Sequence, residues 1–214
     1  MPAPQPTPIF RLLHIDNLPT ILRRGGLHAP SFTPQDGLPY RTIHNEEVQA
    51  SRRVHNIPCG PRGTVHDYVP FYFGYLSVML LNLKTGRVPG YNEGQEPLVY
   101  LVSSAQAVVG SGAGFVFSDG HGLANFTCWY DALRHLDEVD WNLVYQKYWA
   151  DNSEDNDRQR RKQAEFLIHR FCDWSLVQQI GVLNGRARDR VIAHLDAFPG
   201  MQRPEVRIRP EWYY

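Results

Sequence analysis

The run HDYVPFYF at residues 66–73 is the most unusual stretch of this sequence. Its aromatic and β-branched residues favour a strand over 68–73, and Pro70, which has no backbone N–H, predicts an edge or a bulge within that strand. The simplest interpretation of the aromatic side chains is a tyrosine-rich core strand with hydrogen-bonded hydroxyls. His66 and Asp67, at the start of the run, are either catalytic or close a turn.

Strand and helix patterns extend outward from this run in both directions. Strands are predicted at 9–13, 98–103, 115–118, 164–169 and 206–209, and helices at 16–24, 45–53, 129–149 and 188–198. Residues between 28 and 66 are rich in proline, glycine and histidine and indicate a long functional loop. Strands dominate and helices lie between them, so the sequence predicts the α+β class.

The chain has 214 residues, with 22 Lys plus Arg balanced by 22 Asp plus Glu, for a formal net charge of +0. This balance argues against a protein that coats nucleic acid through a high overall positive charge, but it permits a local basic patch. Three widely spaced cysteines suit a reducing compartment, and the N-terminal segment lacks the features of a signal peptide. We therefore expect a cytoplasmic protein with a proline-rich tail at 1–8 and a single domain at 9–214.

Two charged features could carry chemistry. Glu165 follows the basic run Arg158-Gln159-Arg160-Arg161-Lys162 and opens an apolar strand, where a carboxylate can be fixed near an anionic ligand. The alternative for Glu165 is a surface residue paired with a nearby Lys or Arg. Arg52 and Arg53, near the end of a predicted helix, could grip a pyrophosphate or could simply face solvent.

Several cofactor classes are disfavoured by motif spacing. Nine histidines are present, but the ligand patterns H-E-x-x-H and H-x-H are absent, and no C-x-x-C pair occurs. The glycines at 110–114 precede a strand and lack both dinucleotide-binding and phosphate-loop spacing. We therefore expect no metal site, no Rossmann domain and no P-loop.

Five blocks of the sequence, taken together, resemble the DarT family of DNA ADP-ribosyltransferase toxins. The blocks occur in the family's order and span nearly the whole chain. They are IFRLLHIDNLPTIL at 9–22 followed by Gly25-Gly26-Leu27, HDYVPFYF at 66–73, FVFSDGH at 115–121, KQAEFL at 162–167 and PEWYY at 210–214.

The resemblance implies an ADP-ribosyltransferase fold, a split and bent β-sheet that grips NAD as a consumed substrate. It further implies transfer of ADP-ribose to a base, most often thymine, in single-stranded DNA, with release of nicotinamide. Glu165 matches the catalytic glutamate, and Arg53, or less closely Arg52, matches the site arginine. His121 stands where the family has a site histidine.

Other residues are expected to bind the two substrates. Arg11, His14 and Asn17, with Arg52 and Arg53, are the expected NAD contacts, Arg11 standing where many relatives carry a histidine. Tyr72 and the basic residues Arg158, Arg160, Arg161 and Lys162 are the expected DNA contacts, through stacking and phosphate binding.

Alternatives remain at this level. One is an ADP-ribosyltransferase that acts on guanine, RNA or protein, and another is a non-enzymatic single-strand-binding module. Glu165 argues against the module, because a carboxylate among phosphate-binding arginines would repel a nucleic-acid backbone. The resemblance also implies a monomeric toxin paired with a macrodomain antitoxin.

Overall fold

The structure is a computed structural model that describes all 214 residues. The strands are β1 (Pro8–His14), β2 (Gly26–His28), β3 (Tyr68–Tyr72), β4 (Leu98–Ser104), β5 (Phe115–Ser118), β6 (Trp129–Tyr130), β7 (Glu165–His169), β8 (Phe171–Asp173), β9 (Gln179–Val182) and β10 (Glu205–Ile208). The α-helices are α1 (Leu18–Arg23), α2 (Glu46–Val54), α3 (Val78–Lys84), α4 (Ala105–Gly110), α5 (Trp141–Val144), α6 (Arg158–Lys162) and α7 (Gly185–Asp196). Short 3₁₀ turns connect several of these elements.

Eight strands form one sheet in the order β10-β9-β4-β1-β3-β7-β5-β6, and β2 pairs with β8 in a second, two-stranded sheet. The large sheet splits in the middle, because β1 and β3 pair only where Phe10 lies opposite Tyr72. β1 is fully paired with β4 on one side, and β3 with β7 on the other. This arrangement confirms the α+β class and the predicted split sheet.

Pro70 lies at the split. On one side it is paired with Leu167 of β7, and on the other its carbonyl accepts a hydrogen bond from Arg11 Nη1 at 3.1 Å instead of a strand partner. A proline here removes an N–H that would otherwise seek a partner in β1. The interruption predicted at Pro70 therefore corresponds to the opening of the sheet.

The other aromatic residues of β3 and its surroundings build the core. Tyr68, Phe71 and Phe73 are buried, and the Tyr68 hydroxyl donates to the carbonyl of Arg62 at 2.6 Å. Phe73 packs edge-on against Phe117 and Phe166, with ring centroids 5.8 and 6.0 Å apart. Tyr72 lies on the face opposite Phe71, the face it shares with Tyr68, and both tyrosines border the cleft described below.

The predicted helix at 129–149 is wrong. The segment contains β6, a 3₁₀ helix at Leu133–Glu138 and the short α5. Asp140 interrupts the periodic pattern, because its side chain accepts the backbone N–H of Leu143 and starts a new helix. The sequence also gave no prediction for β2, β8, β9, α3 and α4, which are short or lack clear periodicity.

The expected tail at 1–8 contacts the rest of the chain. Thr7 is completely buried, its N–H donates to the Gln106 side chain at 2.8 Å, and its hydroxyl donates to the Pro4 carbonyl. The backbone N–H of Ala3 donates to Asp137 at 3.0 Å. These contacts attach the proline-rich segment to the domain. No helix of the chain is both long and apolar enough to cross a membrane.

Candidate active site

A buried ion pair lies at the centre of the candidate site. Glu165, the first residue of β7, is only 2% exposed, and it accepts two hydrogen bonds from Arg52 of α2, at 3.1 and 2.8 Å. Burial opposes ionisation of Glu165, but the charge and hydrogen bonds of Arg52 outweigh it and lower the pKa of the carboxyl group. The glutamate is therefore an anion held in one orientation.

The short helix α2 delivers Arg52 to this position. Asn45 caps its N-terminus by accepting the N–H groups of Glu47 and Val48, and Glu46 and Glu47 lie in its first turn, where carboxylates suit the helix dipole. Arg52 is the only buried residue of the helix, so α2 presents a charge, not an apolar stripe, to the protein interior.

Tyr72 and His121 border the cleft close to Glu165. Tyr72 lies directly opposite Glu165 in the antiparallel pair β3–β7, and burial together with the glutamate charge raises the pKa of its hydroxyl to about 12. Burial lowers the pKa of His121, with Arg52 adding to the decrease and Glu165 opposing it. Tyr72 therefore keeps its proton and His121 is largely neutral near pH 7.

These residues border a cleft of about 520 Å³, a size typical of small-molecule sites. Arg11 and Arg53 also border it. Arg53 is exposed and makes no hydrogen bond or ion pair, whereas its neighbour Arg52 is buried against Glu165. The sequence favoured Arg53 over Arg52 as the site arginine; the structure places Arg52 on the glutamate and Arg53 at the wall of the cleft, and the role of each toward NAD stays a prediction.

His14 and Asn17, the other expected NAD contacts, lie at the end of β1 and just after it. His14 is buried, its Nδ1 accepts the N–H of Asp16, and its Nε2 is buried without a hydrogen-bond partner. The Asn17 amide borders the cleft, and it accepts from and donates to the backbone of Arg41, at 2.7 and 2.9 Å. Asn17 thus positions the segment around residue 41 along the cleft, and the NAD contacts of both residues stay a prediction.

The arginines of the basic run at 158–162 are half-buried and paired with protein groups, and their expected phosphate-binding role stays a prediction. Arg160 binds Asp119 and Asp157, and Arg161 binds Asp140, Asp155 and Asp157. Arg158 donates to the carbonyls of Ala150 and Tyr148 and to the Gln146 side chain. These side chains have protein partners and are not a free cationic surface.

Lys162 completes the run and is almost fully buried. Its ammonium group donates to the carbonyls of Val144, Gln146 and Tyr75, at 2.6, 2.8 and 3.3 Å. No carboxylate balances it, and burial lowers its pKa to about 7. Lys162 thus connects the start of β7 to the end of α5 and to the segment after β3.

Other residues along the cleft were not assigned by the sequence. His28, Thr33, Tyr40 and His44 border it, all in the segment whose proline and histidine content suggested a functional loop. His66 borders it too, with Nδ1 3.1 Å from the Ser31 hydroxyl. Asp67 closes a turn by accepting the N–H and hydroxyl of Thr64, at 2.7 and 3.1 Å. No group of three or more His, Cys, Asp or Glu side chains has the arrangement of a metal site.

A split sheet whose cleft holds an arginine-bound glutamate at a strand start defines an ADP-ribosyltransferase. The comparisons identify the family within this class. The model of the DarT family, described as ssDNA thymidine ADP-ribosyltransferase, matches residues 10–214. The chain therefore belongs to the DarT family and is an NAD-dependent DNA ADP-ribosyltransferase, which confirms the resemblance seen in the sequence.

Relatives and solved structures agree with this assignment. The chain is 42% identical to the DNA ADP-ribosyl transferase of Thermus sp. (strain 2.9), over 99% of this chain and 98% of the relative. It is 35% identical to the enzyme of that name from Escherichia coli O127:H6, over 99% of this chain and 95% of the relative. The structure of Thermus sp. 2.9 DarT in complex with ADP-ribosylated ssDNA superposes with a TM-score of 0.93 at 41% identity, covering 99% and 98% of the two chains. A complex of the same protein with NAD+ gives a TM-score of 0.89 at 40% identity, covering 99% of this chain and 100% of the other.

Proposed function

We propose that Glu165 is the catalytic carboxylate with which this chain transfers ADP-ribose from NAD to thymine in single-stranded DNA and releases nicotinamide. The observation that carries this proposal is the buried, bidentate Arg52–Glu165 pair in the wall of the cleft. A surface glutamate with a flexible partner, the alternative considered from the sequence, would not be held in this way.

The first step is loss of nicotinamide from the ribose of NAD. The broken bond leaves its electrons on nicotinamide, and positive charge develops on the sugar, as in glycoside hydrolysis. A carboxylate that is already fixed and ionised stabilises this charge without reorganising during the reaction. Arg52 holds Glu165 in that state, and the Tyr72 hydroxyl, which keeps its proton, can donate a hydrogen bond into the same region.

The second step joins the ribose carbon to the base. Thymine has one ring N–H, so attack through that nitrogen releases one proton. His121 is the group suited to accept it, because its lowered pKa leaves the imidazole neutral and it borders the cleft beside Glu165.

The remaining arginines of the cleft suit the pyrophosphate of NAD. Arg53 has no protein partner, so its guanidinium is available for a bidentate contact with phosphate oxygens. Arg11 Nη1 donates a hydrogen bond to the Pro70 carbonyl, whereas Arg11 Nε is buried and has no hydrogen-bond partner. A donor left unpaired in the cleft wall favours a bound acceptor, and Arg11 thus fits the position held by histidine in many relatives.

The test is incubation with NAD and a pool of random single-stranded oligonucleotides, followed by mass spectrometry of the DNA. The expected product carries one added ADP-ribose on thymine, and Glu165→Gln serves as the matched inactive control. Addition to guanine, to RNA or to protein in parallel reactions, with no addition to thymine, would overturn the proposed acceptor.

We further propose that the chain acts as a monomeric toxin in the cytoplasm, paired with a macrodomain antitoxin that removes the modification. All three cysteines are free, which suits a reducing compartment, and every residue of the Arg52–Glu165 site comes from this one chain. Sedimentation at micromolar concentration tests the monomer. Rescue of growth by a co-expressed macrodomain hydrolase, but not by an inactive variant of that hydrolase, tests the pairing.

A further inference from the structure

Phe126 is a large apolar side chain that the mechanism above does not use. It lies in the loop from 119 to 128, between β5 and β6, and it is 69% exposed. The same loop carries His121, which borders the cleft. A single exposed apolar side chain needs no ligand to explain it, so the contacts of this ring decide whether it has a role.

The ring is supported from within the protein. The guanidinium of Arg160 lies over it, 5.0 Å from the ring centroid. That guanidinium is itself fixed by Asp157, at 2.7 and 2.8 Å, and by Asp119 at 2.9 Å. The N–H groups of Arg160 already bind two carboxylates. Arg160 therefore supports the Phe126 ring through a cation–π contact and is not positioned to bind a phosphate.

The loop that presents Phe126 is held in place along its length. Asp119 and Cys128 close its two ends through hydrogen bonds of 3.2 and 2.9 Å. The N–H of His121 donates to the carbonyl of Arg160 at 2.9 Å. A β-carbon added to Gly120 would come within 2.4 Å of Arg160 Nη1, so Arg160 can pass the loop only because residue 120 is glycine.

The loop that carries the ring is also connected to the residues proposed to react. The hydroxyl of Thr127, the residue after Phe126, donates to the carbonyl of His121 at 2.8 Å. Gly122, the residue after His121, packs against Glu165, where an added β-carbon would lie 3.7 Å from Oε1. Phe126 is therefore held in the same short loop as His121 and as the glycine that contacts Glu165.

We propose that Phe126 is a stacking platform for the base that adjoins the modified thymine. This inference rests on the proposed function and adds a contact with the DNA acceptor. An aromatic face binds any unpaired base by stacking, whereas bases within a duplex are already stacked on one another. The platform thus provides affinity for single-stranded DNA at a place where the basic residues 158–162 cannot.

The experiment compares Phe126→Ala and Phe126→Trp with Ile208→Ala, which removes an exposed apolar side chain at the opposite edge of the sheet, on β10. The KM for a thymine-containing oligonucleotide should rise roughly 5- to 150-fold in Phe126→Ala, the effect of losing one stacked base. Phe126→Trp should have the wild-type KM for the oligonucleotide, and Ile208→Ala should leave this KM unchanged. NAD hydrolysis without DNA should be the same in all four proteins.

A second arm locates the stacked base. In oligonucleotides with one abasic site, the wild type should lose affinity when the site lies at one neighbour of the thymine, and Phe126→Ala should be insensitive at that position. An unchanged KM in Phe126→Ala, or equal sensitivity of both proteins at every position, would overturn the platform while transfer itself continued. Absence of transfer to any oligonucleotide by the wild type would instead refute the proposed function.

Discussion

Replacing Glu165 with alanine should remove both activity and stability, and the structure shows why the two losses come together. The carboxylate is 2% exposed and holds the buried guanidinium of Arg52 by two hydrogen bonds. Glu165→Ala leaves that cation buried with no counter-charge.

The magnitude follows from the type of pair. Breaking a buried ion pair by removing one partner costs about 3–5 kcal/mol of folding free energy. Loss of a carboxylate that stabilises transition-state charge reduces the rate by at least about 100-fold. Replacing both partners by apolar residues of similar size is often neutral, so the double variant Arg52→Met, Glu165→Met should recover most of the stability and none of the activity.

The assays are urea unfolding followed by tryptophan fluorescence and incorporation of ADP-ribose into a single-stranded oligonucleotide. Glu165→Gln, which retains the shape and one acceptor oxygen, separates chemistry from folding. Wild-type unfolding free energy in Glu165→Ala, or a double variant no more stable than the single one, would refute the coupling between Arg52 and Glu165.

The dependence of stability on acidic pH provides an independent measure of the Arg52–Glu165 ion pair. The pKa of Glu165 is lower in the folded protein than its ordinary value of 4.5. The pair's contribution is therefore complete above about pH 4.5 and is lost as pH falls through the lower, folded value. The stability difference between wild type and the double Met variant should shrink in that acidic window and stay constant between pH 6 and 8.

Three further outcomes are expected. Arg53→Ala should raise the KM for NAD about 10- to 150-fold, which is the effect of losing a charge-assisted bidentate contact. Its melting temperature should be unchanged, because Arg53 has no protein partner. An unchanged KM would mean that another arginine binds the phosphates of NAD. Lys162 has a pKa of about 7 when folded and about 10.5 when unfolded, so wild-type stability should rise with pH between those values, and Lys162→Met should abolish the rise. Arg158→Ala should leave the salt dependence of the KM for DNA as it is in the wild type, because Arg158 is bound to protein carbonyls. A shallower slope of log KM against log salt concentration in this variant would show that Arg158 contacts a DNA phosphate.

Strand positions and Glu165 were predictable because they depend on local pattern. The strands β1, β3, β5 and β7 alternate or cluster apolar residues strongly enough to be recognised, and Glu165 stands where a basic segment meets an apolar one. The predicted starts of these strands lie within one residue of the observed ones. Short elements such as β2 and β8 were missed because three residues show no period.

The choice between Arg52 and Arg53 could not be made from the sequence. Hydrophobic periodicity finds the buried face of a helix from its apolar residues, but the one buried residue of α2 is a charge. Its partner lies 113 positions away, beyond any local signal. The ion pairs of the basic run were only partly visible in the sequence, because Asp155 and Asp157 directly precede it, whereas Asp119 and Asp140, which also pair with Arg160 and Arg161, lie far from it.

The Arg52–Glu165 geometry also explains how a carboxylate can be tightly bound and still act on a substrate. An ionised carboxylate has about four acceptor positions on its two oxygens, and Arg52 occupies one on each. The backbone N–H of Gly122 also lowers the pKa of Glu165 by hydrogen bonding. Acceptor capacity therefore remains on the carboxylate, and in the proposed mechanism the ribose hydroxyls of NAD donate to it. Because the arginine supplies the counter-charge before NAD arrives, the glutamate enters the reaction already ionised and oriented, and the sugar is the group that adjusts to it.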